Sequence, residues 1–324
     1  MKERCMRAAR IVSPARIEIT DDPIPDCPDG AVRVKLLKAA ICGSDLPYFS
    51  VSYNPASYPF PAGFPGHECL GVIEASRSSA WKEGDLVMYY PTGLDAYKEF
   101  HVNDPARVQK LPRNSSLDLN VLLMTQLLGA VAHCVFRIDS PYNKNVVILG
   151  QGPVGQLFTS LIRNAGARSV ITVDPVETRL NISRQMGATH TVNPSVENVE
   201  ERVKEITSGN MADIVIEAFG QNVDVINSSF DLARHNGQVA FFGICLDESP
   251  GLNFNVFFRK ELRMIASVGP DLTMDYPYAL DMILKGAVDV RPMLTHDMPF
   301  EDIQKGFEMA VARDDDAIKI VLSF

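Results

Sequence analysis

The chain is poor in cysteine, with six in 324 residues, at positions 5, 27, 42, 69, 134 and 245 and with no C-x-x-C pair. That excludes a disulfide-dense scaffold and points to reduced thiols in a cytoplasmic protein. Basic charge is scarce too. Lys and Arg number 31 against 40 Asp and Glu, for a net charge of −9 and a pI near 5.2. A dedicated nucleic-acid binder needs a basic face to neutralise phosphates, so that class is excluded. The longest apolar stretch, residues 121–136, is interrupted by Thr125, Gln126 and His133. It falls short of the roughly 20 residues of a membrane span. The N-terminus has no apolar signal-peptide core, so no membrane partner is expected. The 21 glycines and 21 prolines are scattered, and no repeat or low-complexity segment stands out. What is present is ordinary: 46% hydrophobic and 22% charged residues, in a length that suits two domains.

The middle of the chain is the most legible part. Residues 145–149 are apolar and β-branched, as in a buried strand. Gly150-Gln-Gly-Pro-Val-Gly155 follows, then a helical stretch, then a second strand over 169–173 that ends at Asp174. Strand, G-x-G-x-x-G, helix, strand and acid make the dinucleotide fingerprint. Gly150 allows the tight turn, Gly152 admits the pyrophosphate, and Gly155 lets helix and strand pack closely. Pro153 suits the first helical position, and with Val154 it opens a helix whose free N–H groups face phosphate. Asp174, 19 residues after Gly155, would accept the adenosine ribose hydroxyls and repel a 2′-phosphate, favouring NAD over NADP. Arg179 would lie near the adenine or form a surface ion pair. Strands over 188–192, 213–217, 237–243 and 262–267 alternate with helices over 199–207 and 223–233, which predicts an α/β, doubly wound parallel sheet. Gly243, Ile244 and Val268 fall just past strand ends, where such a sheet places its ligand.

The flanks do not alternate in this way. Residues 31–37, 71–74 and 85–90 read as short strands between proline- and glycine-rich turns, as in a partly open β-barrel. The tail reads as helices over 278–285 and 300–312 and a closing strand over 318–322. The expected division is a β-rich catalytic domain over 1–141, a cofactor domain over 142–270 and a return segment over 271–324.

The reactive side chains fall in the β-rich part, in Cys42-Gly43-Ser44-Asp45 and Gly66-His67-Glu68-Cys69. A thiol, an imidazole and a carboxylate can hold zinc with an open fourth position. Asp45 could then orient His67, and Ser44 could pass on the proton of an alcohol. Buried cysteine and a His-Glu pair also occur as plain structure, and the residues alone leave both readings open.

These two segments, followed by the fingerprint, by Gly84-Asp85-Leu-Val87 and Tyr97-Lys-Glu-Phe100, and by the ending Ile318-Lys-Ile-Val-Leu322, resemble the zinc-dependent medium-chain dehydrogenase/reductase superfamily over nearly the whole chain. The resemblance implies a GroES-like catalytic domain and a Rossmann cofactor domain with the active site between them. It implies hydride transfer between a small alcohol, polyol or carbonyl substrate and NAD, with zinc as the Lewis acid. It makes Cys42 and His67 metal ligands and Glu68 a ligand or a nearby carboxylate. Three departures stand out. No four-cysteine lobe follows the Gly-Asp-x-Val segment, so one catalytic zinc per chain and no structural zinc are expected. Gln126 stands where polyol-type members have a glutamate, as a weaker, neutral candidate ligand. Pro47 and Tyr48 replace a relay histidine, leaving Ser44 or Tyr48 to carry the proton. The alternatives are a zinc-free quinone or enoyl reductase of the same superfamily, and a non-catalytic NAD binder with a decayed site.

Other residues have plainer expectations. The rings at 48, 49, 53, 58, 60 and 64, set among prolines, either wall a substrate pocket or cover the barrel. His133 and Cys134 read as packing, and Cys69 as filler or a competing soft ligand. The apolar segment 253–258 before the last parallel strand suggests a homodimer, or a homotetramer built from dimers.

Overall fold

A computed structural model of the chain describes residues 4–50, 57–220, 222–244, 251–314 and 316–324. The chain opens with a hairpin of β1 (Cys5–Ser13) and β2 (Arg16–Pro23). Next come β3 (Val32–Ala40), α1 (Leu46–Ser50), β4 (Glu68–Ser76), β5 (Leu86–Tyr89), β6 (Phe100–Asn103), β7 (Val108–Lys110), α2 (Leu119–Leu123) and α3 (Thr125–Arg137). Strands and helices then alternate through β8 (Asn145–Leu149), α4 (Pro153–Asn164), β9 (Ser169–Val173), α5 (Glu177–Gln185), β10 (His190–Val192) and α6 (Val199–Ile206). The series continues with β11 (Ala212–Glu217), α7 (Val223–Leu232), β12 (Ala233–Phe241), α8 (Phe254–Arg259), β13 (Arg263–Ala266) and α9 (Asp275–Leu284). Last come β14 (Leu294–Pro299), α10 (Ile303–Ala312) and β15 (Lys319–Ser323).

Two compact units result, Met1–Gln126 with Leu294–Phe324, and Leu127–Met293. This division differs from the expected limits of 142 and 270. The second unit takes in most of α3 and all of α9, because those helices pack on each other: Gly129 has no side chain where the Tyr276 ring passes, and Phe136 meets Tyr278 edge to face at 4.9 Å. Its sheet is fully parallel, in the order β10-β9-β8-β11-β12-β13. β8 and β9 are buried throughout, as expected of strands covered on both faces.

The first unit is built on a seven-stranded sheet, β14-β15-β3-β4-β5-β7 with β6 also on β3. β15 runs antiparallel to β3, with Val321 opposite Ala40, so the tail strand completes this sheet. Its core gathers Val34, Leu36, Ile73, Tyr97 and Phe307, among others. α2 and α3 make one helical stretch, Leu119–Arg137, that is long and apolar enough by length and composition to cross a membrane. That is more than the short, interrupted run read from the sequence. Its most apolar window is 72% buried inside the protein, the pattern of a core helix.

One buried network in this unit was not legible beforehand. His101 Nε2 lies 2.9 Å from the Asp95 carbonyl oxygen and Nδ1 lies 2.7 Å from the Tyr89 hydroxyl. A carbonyl only accepts, so Nε2 carries the proton and Nδ1 accepts from Tyr89. Burial pushes the His101 pKa down to about 4, with Asp95 opposing. A depressed histidine contributes stability above its unfolded pKa of about 6.5 and loses it as pH falls toward 4. The chain should therefore lose up to about 3 kcal/mol between these limits. In His101→Gln, urea unfolding at pH 7 and pH 4.5 should show this part of the loss removed. An unchanged pH dependence would contradict it.

Candidate active site

β3 ends just before Cys42 and β4 starts at Glu68, with Ala40 paired to Glu68 across the two strands. The thiol, imidazole and carboxylate of Cys42, His67 and Glu68 thereby come together, each offering a ligand atom within 4.8 Å of the others. Asp45 fixes the group. It is buried, and its Oδ2 accepts from the Cys42 backbone N–H at 3.0 Å and from the Tyr97 hydroxyl at 2.6 Å. Its Oδ1 lies 3.6 Å from His67 Nδ1. Gly66 is required here, since a Cβ would sit 2.7 Å from the Tyr97 ring. Burial works against a charged His67, but Cys42 and Asp45 outweigh it and hold the imidazole well above its ordinary pKa.

Glu68 has an unexpected partner. Lys319, at the start of β15, is fully buried, and its Nζ donates to Glu68 Oε1 at 2.7 Å and to the Ile41 carbonyl oxygen at 3.1 Å. The other carboxylate oxygen, Oε2, is buried with no hydrogen-bond partner. A buried orphan oxygen beside a thiol and an imidazole is a donor set that fits a divalent zinc ion. Cys69 does not join it. The next residue on a strand faces the other way, and its buried thiol meets the Tyr89 hydroxyl.

Ser44 is half-buried in the turn between Cys42 and Asp45. Gln126 is buried and its Oε1 has no hydrogen-bond partner, nor has the Thr125 hydroxyl beside it. Tyr48, on α1, packs edge-on against Phe64 at 4.8 Å and Phe60 at 5.9 Å, and Tyr58 meets Phe60 at 5.0 Å. Tyr48, Tyr58 and Phe60 are partly buried and pack against the barrel core. Tyr53 lies outside the described residues.

The glycine fingerprint folds as its residue types require. Gly150 has φ 91°, and a Cβ on Gly155 would lie 1.9 Å from the Gly150 carbonyl oxygen. Gly152 caps α4, with Pro153 and Val154 in the first turn, and open space surrounds its Cα. Asp174 is buried and already engaged: Oδ2 accepts from Gln151 N–H at 2.8 Å, Oδ1 from Val176 N–H at 2.9 Å, and Arg179 lies 3.8 Å away. Gln151 is buried beneath the turn, where its Oε1 accepts from Thr159 and Ser183.

Two further anchors were missed in the sequence. Glu217, buried at the end of β11, accepts from Phe219 and Gly220 N–H, each at 2.7 Å. Burial holds its carboxyl above the usual range against those bonds. Gly243 is pressed against Gly220, where a Cβ would lie 2.2 Å from the Gly220 nitrogen, while Ile244 beyond it is exposed. An acid ending an apolar strand and followed by Ala-Phe-Gly was the available signal. The second anchor corrects the reading of His133 as packing. His133 Nδ1 lies 2.9 Å from the buried Asp275 carboxylate, which also accepts from Asp271 N–H at 2.5 Å. Next to it, burial pushes the Cys134 thiol up to about 11, partly offset by Ser267. Adjacent residues of α3 thus meet both ends of the loop 267–275 that carries the exposed Val268.

Residues 28–111 match the model of the alcohol dehydrogenase GroES-like domain, and residues 153–285 that of the zinc-binding dehydrogenases. An L-threonine 3-dehydrogenase from Marinomonas sp. (strain MWYL1) is 27% identical, over 93% of this chain and 94% of its own. A sorbitol dehydrogenase from Bacillus subtilis (strain 168) is 26% identical, over 98% and 97%. Among solved structures, the alcohol dehydrogenase TADH from Thermus sp. ATN1 shares the fold with a TM-score of 0.87 at 20% identity, over 98% and 99%.

The buried Glu68–Lys319 pair carries a direct stability prediction. In metal-stripped protein, Lys319→Met and Glu68→Gln should each cost about 3–5 kcal/mol, because each leaves a buried charge alone. The double variant should cost clearly less than the two together in urea unfolding. Additive losses would show that the two charges are not coupled.

Proposed function

The chain belongs to the zinc-dependent medium-chain dehydrogenase superfamily, and on that premise we propose that it is an NAD-dependent alcohol or polyol dehydrogenase with one catalytic zinc per chain. The observation that carries this is the orphan Glu68 oxygen grouped with the Cys42 thiol and the His67 imidazole. When bound, the zinc supplies Lewis acidity toward the alcohol oxygen, and the nicotinamide supplies the hydride acceptor. The remaining work falls to the chain's own groups. Asp45 fixes the Cys42 backbone and the imidazole of His67. Lys319 balances Glu68 and holds it in place. Ser44 carries the alcohol proton away, with Tyr48 as the second candidate for that task. Gln126, whose buried amide oxygen has no hydrogen-bond partner, is the candidate for an additional neutral ligand.

For the cofactor, Gly150, Gly152 and Gly155 leave room for the pyrophosphate, and Pro153 and Val154 open the helix whose N–H groups receive it. Asp174 offers its remaining lone pairs to the ribose hydroxyls, and Arg179 stays beside it. Gly243, Ile244 and Val268 line the strand ends where the rest of the dinucleotide lies. With no cysteine between Pro91 and Ala96 to build a four-thiolate site, no structural zinc is expected.

Phe254 and Phe258, 66% and 71% exposed, precede the edge strand β13, which carries the exposed Met264. They support a homodimer, or a tetramer of dimers, whose mass light scattering would read against that of a monomer. Cys27, Cys42, Cys69 and Cys134 are free thiols, which supports a cytoplasmic setting.

Elemental mass spectrometry of protein purified without chelator tests the central point. About one zinc per chain is expected, from an open three-residue site and no closed structural one. No zinc, even after reconstitution, would overturn the proposal in favour of a zinc-free reductase. With NAD and a turned-over alcohol, Ser44→Ala should lower kcat by about 10²-fold while the Kd for NADH stays unchanged. An unchanged kcat would remove Ser44 from the proton path.

A further inference from the structure

The surroundings of His67 hold a positive charge that the zinc site does not use. Tyr90 follows β5, and its ring lies 5.6 Å from the His67 imidazole. The guanidinium of Arg107 lies over the same Tyr90 ring, 5.1 Å from its centroid. Two backbone-directed bonds hold it there: Arg107 Nε donates to the Tyr90 carbonyl oxygen at 3.2 Å, and Tyr90 N–H donates to the Arg107 carbonyl oxygen at 3.3 Å. Arg107 closes a short 3-10 turn, Pro105–Arg107, that Asp104 caps through the Ala106 N–H. The side chain is half-buried, and among the described residues no carboxylate pairs with it.

The acids nearest the metal ligands do not claim this charge. Glu68 is balanced by Lys319, and Asp45 is taken by Tyr97, the Cys42 N–H and His67. Nor is Arg107 needed to close a strand, since its neighbours in β7 pair with β5 through their own backbone. A guanidinium stacked on an aromatic ring keeps its outer N–H groups in one plane, ready for two parallel bonds to a carboxylate or phosphate. The stacking also limits the freedom lost on binding.

We propose that Arg107 is the anion anchor of the substrate site, so that the alcohol oxidised beside Cys42, His67 and Glu68 carries a carboxylate or phosphate group. This rests on the dehydrogenase reading above and narrows its substrate class. Neutral alcohols and bare polyols lack the group that Arg107 binds, and they are the poorer ligands.

The chain carries a built-in reporter. Its one tryptophan, Trp81, donates from Nε1 to the Pro105 carbonyl oxygen at 3.2 Å, at the start of the same turn. The full-length protein is titrated with glycerol 3-phosphate and 3-hydroxybutanoate, and with their neutral counterparts glycerol and 1,3-butanediol. Binding is read by calorimetry and by Trp81 emission. The anionic alcohols should bind at least about tenfold more tightly than the neutral ones. Arg107→Gln should remove most of that difference, and Arg107→Lys should restore part of it through charge alone. Equal binding of anionic and neutral alcohols, no binding of either, or unchanged anion binding in Arg107→Gln would each overturn the proposal. NADH formation is followed in parallel. Arg107-dependent anion binding without turnover of any alcohol would refute the dehydrogenase reading and keep the anion site. Turnover that ignores Arg107 would do the reverse.

Discussion

The contact between Lys319 and Glu68 ties the first unit together. Both groups are fully buried, and removing either would leave the other's charge buried without its partner. Glu68 must be buried to stand beside Cys42 and His67, so a cation has to be brought to it from elsewhere. That cation arrives on β15, from the far end of the chain, and β15 is held by pairing with β3. The return of the tail to the first sheet is thus an electrostatic requirement of the site as well as a matter of sheet completion. Only one carboxylate oxygen is taken by the lysine, which leaves the other free for a metal.

The cofactor unit solves a related problem at the ends of its strands. Turns that must stay open to a ligand have backbone N–H groups with no strand to pair with. Here two buried acids take them: Asp174 holds the Gln151 and Val176 N–H groups, and Glu217 holds those of Phe219 and Gly220. Each sits at the end of an apolar strand, where its desolvation cost is offset by two or more short bonds. Gly220 and Gly243 then allow an approach that no side chain would fit, and Gly150 takes the positive φ that its turn requires.

Much of this was legible in the sequence because it is local. The parallel strands, the glycine turn and Asp174 follow from periodicity and spacing within about 30 residues. Cys42, His67 and Glu68 were found as two short segments, and the structure brings all three together. What escaped depends on distance along the chain. Lys319 reads as one more residue of an alternating tail strand, and nothing local reports that it faces Glu68. His133 reads as the polar break in an apolar helix until Asp275 is placed opposite it. The hairpin of β1 and β2 alternates weakly, and its charged side chains, Arg10 and Asp22 among them, pair with each other. Glu68 and Cys69 show the opposite case, where strand alternation alone separates a candidate ligand from a core thiol.

The pairing of Ala40 with Val321 also governs how the protein comes to be folded. A sheet whose middle strand must wait for a partner some 280 residues downstream has a very high sequence separation for a central contact, and such closures are slow. Until β15 docks, the Lys38–Ala40 end of β3 stands as an open edge with unpaired N–H and C=O groups, a template for unwanted pairing with other chains. The parallel unit, closed within its own stretch of chain, has no such delay. Newly made protein should therefore pass through a state with a finished cofactor unit and an unfinished first unit. In that interval the chain is most exposed to aggregation and most dependent on chaperones.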